Sequence, residues 1–137
     1  MKIMGVDYGD ARTGIAISDL MCSIVGSTYV VLSRNREKAV ADIVRLVQEN
    51  SVGEIVVGLP RNMDGSEGAR AQLCREFADV LAEATGVKTV MWDERRTTVE
   101  AHNILSQHNY HGQKRKNTVD AVAASLILEG YLAFRSR

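Results

Sequence analysis

The sequence predicts an α/β fold in which a five-stranded mixed sheet is flanked by helices. Three observations carry that expectation. Residues 1–33 hold three short β-branched segments separated by glycine-rich or polar turns, as in an antiparallel meander. From residue 36 onward, stretches with apolar residues at helical spacing alternate with compact apolar runs, which implies parallel strands and right-handed crossovers. The run Glu54-Ile55-Val56-Val57-Gly58-Leu59 is apolar nearly throughout, as a strand covered on both faces is.

Taken in order, Lys2–Asp7 and Gly14–Ser18 read as the first two strands, joined through Gly9 to Thr13. The polar connection from Asp19 to Ser27 leads to a third strand, Thr28–Leu32. Val40, Ile43, Val44 and Val47 then mark an amphipathic helix over Arg36–Asn50. Gly53 restarts the chain as the fourth strand, and Pro60 ends it because proline cannot donate to a sheet ladder. Arg61–Gly68 is a polar loop. A second helix follows, with Leu73, Phe77, Val80, Leu81 and Ala84 on its apolar stripe and Gly86 as its stop. Val87–Trp92 is the fifth strand. Val99, Ile104 and Leu105 suggest a short helix, and a basic loop, Tyr110–Asn117, leads to a last helix. That helix carries Val119, Val122, Ala123, Leu126 and Ile127 on its apolar face.

With 137 residues and no linker or repeat, the chain is expected to form one domain over 1–137. Its 45% hydrophobic and 25% charged residues are globular averages. No apolar run reaches the length of a bilayer span, and Asp7, Asp10 and Arg12 interrupt any secretory core at the N-terminus. Two distant cysteines, Cys22 and Cys74, make no disulfide framework, so a reduced, cytoplasmic protein is expected. The formal net charge is zero, which gives the molecule as a whole no electrostatic hold on nucleic acid. Charge is uneven, however, with basic clusters at Arg34-Arg36-Lys38, Arg95-Arg96 and Lys114-Arg115-Lys116. Each cluster alone is as well explained by a solvated face.

The residues that could carry chemistry gather at strand ends. Asp7 closes the first strand and opens the pattern Asp7-x-Gly9-x-x-Arg12-x-Gly14. Its carboxylate suits a hard cation, and the glycines would let a phosphate approach the main chain. An ordinary polar hairpin collects the same residues, and the pattern alone supports both readings about equally. Asp93-Glu94 follows the fifth strand, and ligands of open α/β sheets gather beyond the carboxyl ends of parallel strands. In extended chain these neighbours point opposite ways, so one of them faces Asp7; Glu94 is favoured.

Asp120, beside the apolar stripe of the last helix, is the third acid. It could equally be the N3 partner of an Asn117 cap. Three carboxylates from two strands and a helix are what a pair of Mg²⁺ ions needs to clamp the attacking water and the leaving oxygen of a phosphodiester. Asn62, Ser66 and Arg61 after the fourth strand could contact a phosphate backbone, or simply close a loop turned by Pro60 and Gly65. Thr97 and Thr98 could donate to phosphate or cap a helix. His102, His108 and His111 lack the companion ligands of a zinc site.

Four motifs in this order resemble one family. They are Gly5-Val6-Asp7-Tyr8-Gly9 with Arg12-x-Gly14-x-Ala16, Val57-Gly58-Leu59-Pro60 with Asn62-Met63-Asp64-Gly65-Ser66, Asp93-Glu94-Arg95 with Thr97-Thr98, and Val119-Asp120-Ala121 with Ala123-Ala124. Together they cover essentially the whole chain. It resembles the YqgF family of Holliday-junction resolvase-like proteins, regarded as pre-16S ribosomal RNA nucleases. The resemblance implies a ribonuclease-H-like fold and a Mg²⁺- or Mn²⁺-dependent endonuclease acting at the 5′ end of precursor 16S rRNA, with branched DNA as the other substrate. It implies Asp7, Glu94 and Asp120 as the catalytic, metal-holding triad. Arg12, Arg61, Arg95 and Lys114-Arg115-Lys116, with Asn62, Ser66, Thr97 and Thr98, would hold the nucleic acid. Junction resolvases carry an acid at the end of the fourth strand, where this chain has Gly58-Leu59-Pro60, so Glu94 would stand in from the fifth. A monomer or homodimer, working on or near the small ribosomal particle, is expected.

Two other function classes fit parts of the sequence. Actin-like and sugar-kinase ATP-binding proteins share an acid followed by glycines after the first strand, but close two such domains around a nucleotide. A non-catalytic rRNA-binding assembly factor would use the acids structurally.

Overall fold

The computed structural model describes residues 1–94 and 112–136, the side chains of 112–120 excepted. Its elements are β1 (Lys2–Asp7), β2 (Arg12–Ser18), β3 (Val25–Leu32), α1 (Arg36–Asn50), β4 (Val52–Leu59), α2 (Ala69–Thr85), β5 (Lys88–Asp93) and α3 (Gly112–Arg135). The five strands form one sheet in the order β3-β2-β1-β4-β5. β1, β2 and β3 pair antiparallel, whereas β1–β4 and β4–β5 pair parallel. This is the mixed sheet that the sequence predicts, with β4 between the two strands that end in acids.

Side chains alternate across the sheet and divide the core in two. Met4, Val6, Ile15, Ile55 and Val57 bury one face against Val40, Ile43 and Val47 of α1 and Phe77 and Leu81 of α2. Ile3, Ala16, Val56 and Trp92 bury the other against Ala124, Ile127, Leu128 and Tyr131 of α3. α3 lies close because residue 5 is glycine: a Cβ there would meet the Ala124 carbonyl and the Leu128 Cβ, each at 2.9 Å. Ile127 meets the sheet at Gly58, whereas Tyr131 donates a hydrogen bond to Glu54, one turn further along α3 and four residues back along β4. α3 therefore runs against β4, and its N-terminal turns lie toward the carboxyl ends of β1, β4 and β5.

Several local expectations need correction. β3 starts at Val25 rather than Thr28, because the Asp19 carboxylate accepts from the amides of Ser23 (2.8 Å) and Ile24 (3.2 Å) and closes the connection early. Leu73 and Ala84 are exposed; the buried row of α2 is Ala71, Cys74, Phe77, Ala78 and Leu81, which follows the 3.6-residue period more closely. The basic segment Lys114-Arg115-Lys116 is helical rather than a loop, since α3 begins at Gly112. Its straight-chain residues are good helix formers. Asn117 therefore sits inside the helix and is not its cap, which removes the capping-box alternative for Asp120. The short helix expected around Val99–Leu105 lies outside the described residues, as do Arg95, Thr97 and Thr98. Among the described residues, no helix is long and apolar enough to cross a membrane.

Candidate active site at the carboxyl ends of the parallel strands

Asp7 ends β1 and Glu94 follows β5, with β4 running between them. Two strand spacings put their backbones about 9.5 Å apart. What lets the carboxylates meet is Gly58. Val6 pairs with Val57 and Gly58 with Trp92, so Gly58 stands level with Asp7 in the intervening strand. The Glu94 side chain lies over it: a Cβ at residue 58 would come within 2.7 Å of Glu94 Oε1 and 2.6 Å of Ile127 Cδ1. The sheet thus leaves a one-residue gap in β4 that the longer acid of β5 fills.

The two carboxyl groups hydrogen-bond to each other, and the Asp7 carboxyl is pushed up to about 8. Burial is the main cause, followed by the Glu94 charge and the shared hydrogen bond; the Arg70 guanidinium pulls weakly the other way. Ionised carboxylates only accept hydrogen bonds, so the pair must share a proton or face a cation. A converging pair of hard oxygen ligands fits Mg²⁺ or Mn²⁺. Asp120 lies in α3 one turn before Ala124, on the helical row that continues through Leu128 and meets Gly5. That row leads toward the edge where Asp7 stands. Asp93, the alternative to Glu94, lines a groove along β5 with Arg61, Met91, Trp92 and Tyr131 instead.

The β1–β2 turn is tied down from α2. Arg70 donates to the Tyr8 carbonyl and to Asp10 Oδ1 (2.9 Å), and its guanidinium lies 5.3 Å from the centre of the Tyr8 ring. Tyr8 in turn stacks on the buried Phe77, with ring centres 3.9 Å apart. Arg12 opens β2 at the same edge. Below them, burial pushes the Cys74 thiol up to about 11. It is an inert core residue, and both cysteines are free.

The loop after β4 uses its polar groups on itself. Asn62 Nδ2 donates to Ser66 Oγ (3.0 Å), and Ser66 donates to Asp64 Oδ1 through both its hydroxyl (2.6 Å) and its amide (2.9 Å). Arg61 pairs with Glu67 at 3.5 Å, and Glu67 also holds Arg75 through two hydrogen bonds. The expected phosphate contacts Asn62 and Ser66 therefore close a turn, and the charge of Arg61 is partly answered within the protein.

Sequence reasoning passed over Arg70 and the role of Gly58. Arg70 had one readable signal: a cation in the first turn of a helix opposes the macrodipole, so it is there for something else. Gly58 had none, because only the register of β4 against β1 and β5 shows what crosses it.

The chain is 42% identical to the "Putative pre-16S rRNA nuclease" of Halothermothrix orenii over 137 residues, covering all of this chain and 98% of that one. It is 40% identical to the protein of the same name from Carboxydothermus hydrogenoformans, covering 100% and 99%. The fold matches Thermus thermophilus RuvC in complex with Holliday junction substrate, with a TM-score of 0.64, 13% identity and coverage of 99% and 96%. It also matches the fowlpox virus resolvase in its complex with Holliday junction DNA, with a TM-score of 0.63, 13% identity and full coverage of both chains. These likenesses make the fold ribonuclease-H-like, as the motifs imply. The model of the RuvX family, described as Holliday junction resolvase, matches residues 1–134, and the chain belongs to that family, the YqgF family of the sequence motifs.

Proposed function

We propose that this protein is a divalent-metal-dependent endonuclease that cuts phosphodiester bonds at the 5′ end of precursor 16S ribosomal RNA. The observation that carries the reading is the Asp7–Glu94 pair meeting across Gly58 at the carboxyl ends of β1 and β5. The names of relatives about 40% identical over the whole chain support the substrate.

In this reading residues 1–137 form a single nuclease domain. Asp7 and Glu94 hold the metal from the sheet, and Asp120 adds a third carboxylate from α3. Two ions are expected, as in other nucleases with clustered acids. When bound, Mg²⁺ or Mn²⁺ polarises the phosphoryl oxygen and lowers the pKa of a coordinated water. The protein's own part is placement. β1 fixes Asp7, the end of β5 positions Glu94, and Gly58 keeps their meeting point open. Arg12, which opens β2 at the edge where β1 ends, and the basic turn Lys114-Arg115-Lys116 at the start of α3 receive the substrate backbone. Arg61, Arg95, Asn62, Ser66, Thr97 and Thr98 are the outer contacts, the loop residues acting through the turn they close. Zero net charge makes binding of isolated RNA weak and salt-sensitive, so the small ribosomal particle, in the cytoplasm, is the fitting partner.

The test sets precursor 16S rRNA beside a four-way DNA junction, each with Mn²⁺, Mg²⁺ or chelator. Metal-dependent cleavage near the 5′ end of the mature RNA, with the junction cut more slowly, is expected. Cleavage of the junction with the RNA spared would move the reading to a DNA resolvase, and failure to cut either would refute it.

A further inference from the structure

We propose that Arg70 is a positioning residue of this site, pinning the β1–β2 turn so that Asp7 stays beside Glu94. The inference rests on the nuclease reading for its effect on catalysis, but the pinning itself is independent of it. Asp7 is the last residue of β1, and its pairing with Gly14 is the final rung of the β1–β2 ladder. Beyond it the chain leaves the sheet for Tyr8–Ala11. The far end of this turn is held by the Ser33 amide donating to the Ala11 carbonyl at 3.0 Å, whereas near Asp7 the ties to Thr13 are long: the Gly9 amide to Thr13 Oγ1 at 3.4 Å, and Thr13 Oγ1 back to the Gly9 carbonyl at 3.5 Å.

Arg70 ties the end of the turn beside Asp7. From α2, 62 residues later in sequence, one guanidinium nitrogen donates to the Tyr8 carbonyl next to Asp7 and another to Asp10 Oδ1. The same group lies over the Tyr8 ring, 5.3 Å from its centre, and that ring stacks on the fully buried Phe77. The residue after the catalytic acid is thus joined to the hydrophobic core through its ring and to α2 through its carbonyl. The Asp10 ion pair would not achieve this alone, since Asp10 is 79% exposed and such pairs contribute little. The Tyr8 contacts would. Only arginine offers two parallel donors and a flat face at once; a lysine ammonium does not. A cation here also works against the α2 macrodipole, so its presence in the first turn is unexplained by helix stability.

The experiment compares wild type, Arg70→Ala and Arg70→Lys in two ways. Amide hydrogen exchange of the metal-free protein is expected to show Tyr8–Arg12 opening at least ~10-fold faster in both variants, with the strands and α1 protected as before. Cleavage of precursor RNA is expected to lose ~10- to 100-fold in kcat, as sub-ångström misplacement does, with KM within about twofold. Arg70→Lys keeps the charge and stem, so a folding defect in Arg70→Ala does not blunt the test. Unchanged exchange at Tyr8–Arg12 in both variants would overturn the proposal. So would a rise in KM with kcat intact, which would make Arg70 a substrate contact. If wild type cuts no RNA, the nuclease reading falls and the exchange result alone decides whether Arg70 pins the turn.

Discussion

Replacing Asp7 with asparagine should make the metal-free protein more stable and inactive. The buried Asp7 carboxyl is pushed from 3.8 up to about 8 by burial and by Glu94. Folding therefore tightens its hold on the proton, and the folded state binds more protons than the unfolded one between those values. The sign follows: stability falls as pH rises from about 4 to about 8 and is flat above, because the fold must then confine two repelling charges. The displacement corresponds to on the order of 5 kcal/mol at alkaline pH. Water entry and side-chain relaxation leave about 1–3 kcal/mol to be recovered by the neutral amide. For a chain of this length that is roughly 3–10 °C in Tm. The assay is thermal unfolding in chelator from pH 4 to 9. Asp7→Asn should melt together with wild type near pH 4 and progressively above it toward pH 8. A variant that melts lower than wild type at pH 8 would refute the reasoning, since Asp7 would then be a satisfied, stabilising carboxylate.

Two further substitutions probe the frame. Gly58→Ala puts a methyl group where Glu94 Oε1 and Ile127 Cδ1 already lie within 2.7 Å. It should displace Glu94, abolish metal-dependent cleavage and cost about 1–3 kcal/mol, read as a lower urea midpoint. Ser51, the C-cap of α1, holds a left-handed φ of 54° without being glycine. Ser51→Gly should raise Tm by a few degrees, from about 0.5–1 kcal/mol of relieved strain, and leave cleavage unchanged.

The sheet and its acids were legible because each signal was local. Proline at 60, the glycines after Asp7 and the β-branched runs define strands by themselves, and a ligand edge follows from parallel pairing. What could not be read depended on contacts far apart in sequence. Gly58 looked like the loss of an acid, and only the lateral order of β1, β4 and β5 makes it the gap that Glu94 fills. Arg70 meets Tyr8 and Asp10 across some 60 residues, with no spacing pattern to announce it. The start of α3 was missed for another reason. The basic loop expected over Tyr110–Asn117 gives way to helix from Gly112, because the helix propensity of Gln113 to Lys116, the weaker cue, governs there.

Metal-dependent cleavage by this protein depends on the carboxylates of Asp7 and Glu94 meeting beside Gly58. The most direct test of that dependence is single-turnover cutting of precursor 16S rRNA with Mn²⁺ by wild type and Glu94→Gln, which keeps the side chain's size and removes its charge. Wild type is expected to cleave and Glu94→Gln to give only background, with both proteins folded. Cleavage by Glu94→Gln at the wild-type rate would contradict it.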